Sequence, residues 1–447
     1  LSIILIVAVL LRLAAALYLG NTVEVLPGTF DQVSYHTLAL RVLDGHGFSF
    51  GQPSWPMTAA NAPTAHWSYL YTLYLTAVYA LFGPNPLIAR IIQAVIVGLL
   101  QPYLAYLLGK HIFGERAGLL AAAFTAVYIY FIYYAATLMT EPFYVTAILG
   151  ALYLLLRLRR PAPGSETRLA VTLGLALGTA ILLRQLFLLF VPFLLLWLWV
   201  VRWRDARLPG EHLTTARFIH GGSLPWRPAL VVAGIIALMI LPFTLYNQSR
   251  FDRFVLLNTN AGFAFFWANH PVYGARFQGI LPPELGSYQD LIPTELRHLD
   301  EPALEQALME RGLQFITDDP GRYLLLSLSR IPVYFMFWPS ADSGTVSNIS
   351  RVGSFALFLP LMLGGLVYSL ASARLRRSTF PDTSLLLLFM LLYTGVHLAS
   401  WALIRYRLPV DAVLLLYAGL AAAVLWAIWE RRSGRQPVYT ADTTVHS

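Results

Sequence analysis

Cysteine is absent from the 447-residue sequence, which excludes disulfide frameworks, zinc fingers, thiolate nucleophiles and iron–sulfur clusters. Charge is scarce as well: 12% of residues are Asp, Glu, Lys or Arg, against about 25% in an ordinary soluble domain, while 57% are hydrophobic. That balance excludes a soluble globular enzyme. A phosphate-binding glycine loop is missing, as is any solenoid or transporter-type repeat. What is there instead is a series of long apolar runs, among them Leu1 to Leu19, Leu87 to Leu108, Val231 to Tyr246 and Leu385 to Leu403. Each is about long enough to cross a ~30 Å hydrocarbon core. The first run lacks a small-residue cleavage site and reads as a retained span with a few residues missing before it, not as a signal peptide.

Twelve apolar segments can be drawn, of which two make poor spans. Trp67 to Phe82 has only sixteen residues and is crowded with Tyr and Thr, and Tyr323 to Trp338 contains Arg330 and Pro332. Both read as interfacial, because Tyr and Trp favour the headgroup zone and an unpaired Arg at mid-bilayer costs about 2.5–3.5 kcal/mol. With both on the surface, ten spans remain. One side then carries 17 Lys and Arg against 7 Asp and Glu, and the other 13 Arg against 16 acids, with Arg12 inside the first span. If both segments crossed, eleven of the seventeen basic residues, those from Lys110 to Arg227, would move outside. The ten-span arrangement satisfies the positive-inside rule, so the net charge of +8 reflects cytoplasmic loops and gives no reason to expect nucleic acid. The chain reads as an all-α polytopic membrane protein. Residues 1–430 form one transmembrane module, with larger outer loops at 20–85 and 247–351, and 431–447 form a cytoplasmic tail. The outer loops contain a helix over Gln32 to Leu43 and a helix-like piece over Glu301 to Thr317, for which Asp300 is the cap.

Chemistry in such a chain falls to charged residues on the outer side. Asp31 follows the first span, where a partly desolvated carboxylate is suited to take a proton from an acceptor hydroxyl; the same residue serves equally as a helix cap. Glu141 begins the fourth span with Pro142 behind it, and either supports Asp31 or simply complements the helix dipole. Two arginines, Arg405 and Arg407, occupy a short outer loop against the positive-inside trend. They read as a guanidinium clamp on a phosphate, or as partners of Asp411 and headgroups. Arg184 and Arg90 add cations at similar depth, which together point to an anionic lipid substrate. His66 precedes the aromatic segment and is either an interface residue or a phosphate ligand. Asn260, Trp267 and Asn269 suit sugar hydroxyls through amides and an aromatic face, or form turns.

Taken together these residues resemble the GT-C integral-membrane glycosyltransferases that use polyprenyl-phosphate sugars, in particular the broad bacterial family 39-like branch related to protein O-mannosyltransferases and the lipid A aminoarabinose transferase. The likeness runs through Asp31 in the first outer loop, the aromatic segment Trp67 to Gly83 leading to Arg90, Thr140-Glu141, and Leu183-Arg184. It continues through Asn260-Ala261-Gly262 with Ala268-Asn269, and ends in Arg405-Tyr406-Arg407-Leu408-Pro409. Ser68-Tyr69 stand where that family has two prolines, and Gln185 replaces another.

The resemblance implies inverting transfer of a sugar from a polyprenyl-phosphate donor to a hydroxyl of a lipid, glycan or protein acceptor, at the extracytoplasmic face of a bacterial plasma membrane. It makes Asp31 and Glu141 the catalytic acids and assigns the donor phosphate to Arg405, Arg407, Arg184, His66 and Arg90. Tyr35, Tyr406, Asn260, Trp267 and Asn269 become the substrate contacts. Related oligosaccharyltransferases use a metal, but no His/Asp/Glu cluster with ligand spacing occurs in this sequence, and neither metal nor other cofactor is expected. The competing readings are a lipid-linked-sugar flippase, which calls for charges along mid-span, and a non-catalytic subunit of a membrane complex.

Overall fold

The computed structural model describes residues 1–26, 29–205, 226–340 and 343–433. The tail beyond 433 and most of the basic connection between Arg202 and Arg227 lie outside these. Among the described residues, nine helices are long and apolar enough to cross a membrane, or ten if a bent pair counts as one span. In chain order the helices are α1 (Ser2–Leu19), α2 (Asp31–Leu43), α3 (Tyr69–Phe82), α4 (Pro86–Phe113), α5 (Glu115–Val127), α6 (Ile129–Ala135), α7 (Glu141–Arg159), α8 (Glu166–Leu183) and α9 (Val191–Asp205). There follow α10 (Trp226–Phe251), α11 (Ala261–Asn269), α12 (Glu301–Asp318), α13 (Pro320–Tyr334), α14 (Thr345–Arg351), α15 (Leu357–Ala371), α16 (Ala373–Ala399) and α17 (Leu408–Arg432). The segments set aside as interfacial become α3 and α13, neither of which meets the length and hydropathy of a span.

Helix boundaries follow local chemistry. Asn85 accepts from the Ile88 N–H at 3.3 Å and Pro86 opens α4; Ser68 accepts from the Tyr71 N–H at 3.2 Å to start α3. Asp300 caps α12 as its position before an apolar-periodic stretch requires, accepting from the Ala303 N–H at 3.1 Å. The second long connection is shorter than expected, because α10 continues to Phe251 and α14 already begins at Thr345 as part of the next span.

The first half of α17, Leu408 to Leu420, is buried on every face, as its sequence, apolar apart from Asp411 and Tyr417, demands. Small residues let neighbouring backbones close in. At Gly109 an added Cβ would stand 2.8 Å from the Gly118 Cα, so α4 and α5 touch through two glycines. The bent pair is α5 and α6, which meet at 55°. The break frees carbonyls at the end of α5, and Arg12, buried within α1, answers them: its guanidinium donates to Ala126 O at 3.1 Å and Thr125 O at 3.2 Å, and to the Gln101 side chain at 3.4 Å. The charge inside the first span is therefore a cap for a broken helix.

All ten spans alternate, so the connections 20–85, 137–140, the turn at Arg184, 252–344 and 400–407 share one end of the bundle. The ion pairs Arg159–Asp205 and Arg116–Glu430 lie at the other.

Candidate active site

Four charged side chains from four separate connections meet at the end that carries the long loops. Arg405 Nη1 donates to Asp31 Oδ2 at 2.6 Å and lies 3.6 Å from Glu141 Oε1, to which Arg184 Nη2 donates at 2.5 Å. The result is an electrically balanced row, Asp31–Arg405–Glu141–Arg184. Tyr406 lies beneath it, its ring centre 5.0 Å from the Arg184 guanidinium and 5.1 Å from that of Arg405. Exposure falls from Asp31 to Glu141 and rises again at Arg184: the Asp31 side chain is 22% exposed, that of Glu141 3% and that of Arg184 17%. Asp31 is therefore the most exposed member of the row and Glu141 the most buried.

Asp31 does not cap its helix. The Thr29 hydroxyl oxygen instead accepts from the Asp31 N–H at 3.2 Å, and the carboxylate turns to Arg405 and to Thr29, whose hydroxyl donates to Asp31 Oδ1 at 2.5 Å. Thr29 is a partner that the sequence reading missed. Burial works against the ionised carboxylate, but the Arg405 charge, the bonds from Thr29 and Arg405, and the Arg184 charge outweigh it and hold the group below its ordinary value of 3.8. Glu141 Oε2 is buried without a hydrogen-bond partner. The site thus keeps one carboxylate oxygen in reserve beside two arginines.

Other expected site residues are placed differently. Arg407 does not join the row: it is fully buried, donates to Asp411 at 2.8 Å and to Tyr334 O at 2.7 Å, and stacks on Phe355. Arg405 and Arg407 share a short 3-10 turn, Ile404–Arg407, in which side chains two apart diverge, so one joins the row and the other the core. Arg90 is likewise committed, donating to Gly20 O, Thr22 O and the Gln32 side chain at 2.5, 2.7 and 3.1 Å. Since Gln32 also accepts from the Leu138 N–H at 3.3 Å, Arg90 fixes the start of α2, and hence Asp31, against the segment that leads to Glu141. Asn269 is buried and accepts from Arg330 at 2.8 Å, while Trp267 packs into a cluster with Phe263 and Trp55. The Asn269 amide is thus committed to Arg330 and to Phe265 O, whereas the Trp267 N–H is buried without a partner.

Tyr35 and His66 lie close enough to Asp31 to feel its charge. The Tyr35 hydroxyl accepts from the Ser68 N–H at 3.3 Å. The His66 ring lies edge-on to Trp67 and Phe263, its carbonyl accepts from Asn260 at 3.3 Å, and burial lowers its pKa to about 4 despite the pull of Asp31. At neutral pH His66 is an uncharged hydrogen-bonding group. Where the resembled family has prolines, Ser68 donates to Leu182 O at 2.8 Å, and Gln185 accepts from the Asn258 N–H at 2.5 Å. Each substituted residue thus ties an outer connection in place. Among the described residues no group of three His, Asp or Glu gathers closely enough to hold a metal ion.

A buried carboxylate that the sequence did not mark joins the two long loops. Glu301, first residue of α12, accepts from the Ala65 N–H at 2.7 Å, the Thr259 hydroxyl at 2.6 Å and the Thr58 hydroxyl at 2.9 Å. Burial raises its pKa above the ordinary 4.5, although these bonds pull it back. The folded state then holds this proton more tightly than the unfolded chain, so stability declines as pH rises from the ordinary value through the raised one. Glu301→Gln keeps an acceptor and is expected to flatten that slope in thermal melts. Glu301→Ala strands the Ala65 N–H and is expected to lose about 1–3 kcal/mol. Equal melting curves for the two variants would mean that the hydrogen bonds contribute nothing.

The fold, an all-α bundle of apolar helices, is that of the GT-C integral-membrane architecture. The chain superposes along 97% of its length on the oligosaccharyltransferase AglB from Archaeoglobus fulgidus, in complex with an inhibitory peptide and a dolichol-phosphate, with a TM-score of 0.58 and 17% identity. The apo form of the Archaeoglobus fulgidus enzyme gives 0.59 at 16% identity. The chain spans about half the length of these enzymes, covering 52% and 51% of them. ArnT from Cupriavidus metallidurans bound to undecaprenyl phosphate aligns more loosely, at TM-score 0.41 and 15% identity over 96% of this chain and 79% of that one. A family model described as dolichyl-phosphate-mannose-protein mannosyltransferase matches residues 67–226, which contain Arg90, Glu141 and Arg184. No protein of curated function matches the sequence.

Proposed function

We propose that the protein is a glycosyltransferase that moves a sugar from a polyprenyl-phosphate donor to a hydroxyl acceptor at the extracytoplasmic face of the membrane, with inversion at the anomeric carbon. The observation that carries this reading is the Asp31–Arg405–Glu141–Arg184 row at one membrane–water boundary. The shared fold, the dolichol-phosphate bound to AglB and the partial family match support it.

In this mechanism the acceptor oxygen attacks the anomeric carbon while the bond from that carbon to the phosphate oxygen breaks. The acceptor proton passes to Asp31 and the lipid leaves as polyprenyl phosphate. Negative charge grows on the departing phosphate, and the planar forks of Arg405 and Arg184 are set to receive it. Without donor, Arg405 is held by Asp31. A bound phosphate competes for the same guanidinium, loosens its hold on the carboxylate and makes Asp31 a stronger base. Donor binding thereby prepares the acceptor step. Glu141 keeps both arginines oriented when Asp31 lets go. A flippase would need free charge along mid-span, and Arg12, the charge inside α1, is bound to α5 carbonyls.

Purified protein in proteoliposomes is expected to transfer sugar from at least one polyprenyl-phosphate sugar; failure with every such donor would leave the reading without support. Orientation is checked separately. Cysteines introduced at Arg160 and Arg376 should react with a membrane-impermeant thiol reagent only from the cytoplasm, and one at Gly286 only from outside. The opposite pattern would put the charged row on the wrong face.

A further inference from the structure

The end of the bundle opposite the row holds a second concentration of guanidinium groups. The last residues of α7 and α9 and the first part of α16 surround a cleft of about 660 Å³, within the range of small-molecule sites and larger than a lone phosphate requires. Five arginines line it, Arg159, Arg160, Arg204, Arg376 and Arg377, against two acids, Asp205 and Asp382. Buried Arg159 at the floor donates to both acids, reaching Asp205 at 2.8 Å, and Arg160 and Arg204 each stand 3.3 Å from Asp205. The acids are thus already answered. Arg376 and Arg377 are exposed and enter none of these ion pairs, and the Arg160 side chain is 71% exposed. The cleft carries a net charge of +3 and presents it outward.

Its walls are not wholly polar. Phe380, on the rim, is 43% exposed, and α9 projects Trp199 and Trp203, 48% and 45% exposed, at the same end. Exposed indoles at a span terminus mark the headgroup layer. A cation-lined cleft at that depth, with an apolar lip, matches a ligand whose phosphate is joined to acyl chains more closely than one free in water.

We propose that this cleft binds the phosphate-bearing headgroup of an anionic phospholipid in the leaflet opposite the sugar-transfer site. Arg376, Arg377 and Arg160 hold the phosphate, Arg159 keeps the acids neutralised, and Phe380 lies along the first methylenes. The site ties α7, α9 and α16 together through the lipid, and it stands apart from the sugar-transfer reading.

The test uses the full chain, delipidated in a neutral detergent, and follows binding of phosphatidylglycerol, phosphatidylcholine and inorganic phosphate to wild type and to the double variant Arg376→Gln/Arg377→Gln. Wild type should bind phosphatidylglycerol in clear preference to phosphatidylcholine, and the double variant should bind it about thirtyfold more weakly, the effect of two surface cations on an anionic headgroup. Both residues are exposed, so an unchanged melting temperature in phosphatidylcholine confirms that the variant is folded. Equal phosphatidylglycerol affinity in wild type and variant would overturn the site. Inorganic phosphate binding as tightly as the lipid would overturn the lipid as its ligand.

Discussion

Asp31→Asn is expected to lower sugar transfer by about 10²–10⁴-fold, the usual weight of a positioned general base, while leaving the protein folded. The amide oxygen still accepts from Arg405 and its NH2 can donate to the Thr29 hydroxyl, so the start of α2 stays where it is, but the amide cannot take the acceptor proton. A pH profile sharpens the test. In the donor-free protein Arg405 and Thr29 hold Asp31 below its ordinary value, so the acid limb of kcat/KM lies below that of an ordinary carboxylate. When donor phosphate engages Arg405 that hold weakens, so the acid limb of kcat should lie at higher pH than that of kcat/KM. The two limbs coinciding would mean that the donor does not compete for Arg405. Full activity in the Asn variant would remove Asp31 as the base.

Arg405→Ala should weaken donor use by about 10²–10³-fold, the cost of losing one preorganised group that stabilises developing negative charge, with little change in acceptor KM. Arg405→Lys should recover part of the loss, because a point charge replaces a planar fork. The neighbouring Arg407 provides the contrast. Its removal leaves Asp411 buried and uncompensated beside Tyr128, so Arg407→Ala should destabilise the bundle by about 3–5 kcal/mol. Donor kinetics and thermal melts therefore separate two arginines that stand two residues apart. An Arg405 variant with wild-type donor affinity would exclude it from the phosphate site.

The span count was legible because hydropathy and loop charge are both local, summed properties, and α3 and α13 declared themselves through Tyr, Arg and Pro. The break between α5 and α6 was not. No glycine or proline marks Tyr128, and the groups that stabilise the bend, Arg12 and the Ser354 hydroxyl that accepts from the Tyr130 N–H at 3.0 Å, lie far along the chain. Within the site, residue type identified Asp31, Glu141, Arg184 and Arg405 as candidates, because charge is scarce in an apolar chain and each member stands out. Which way each charge faces was illegible. The Arg-Tyr-Arg pair was split by the 3-10 turn, Arg90 was claimed by carbonyls of the first loop, and Asn269 and Trp267 were taken into the packing around α11. Glu301 escaped notice because its partners Thr58 and Ala65 are more than 200 residues away, and nothing in its own surroundings sets it apart from a solvated helix start.

The central claim is that a polyprenyl phosphate head displaces Asp31 from Arg405. A structure of the protein with polyprenyl phosphate bound tests it most directly. The phosphate should lie within hydrogen-bond reach of the Arg405 guanidinium, with the Asp31 carboxylate withdrawn from its 2.6 Å contact and open to the cavity. A phosphate head lodged elsewhere, with the Asp31–Arg405 pair intact, would contradict it.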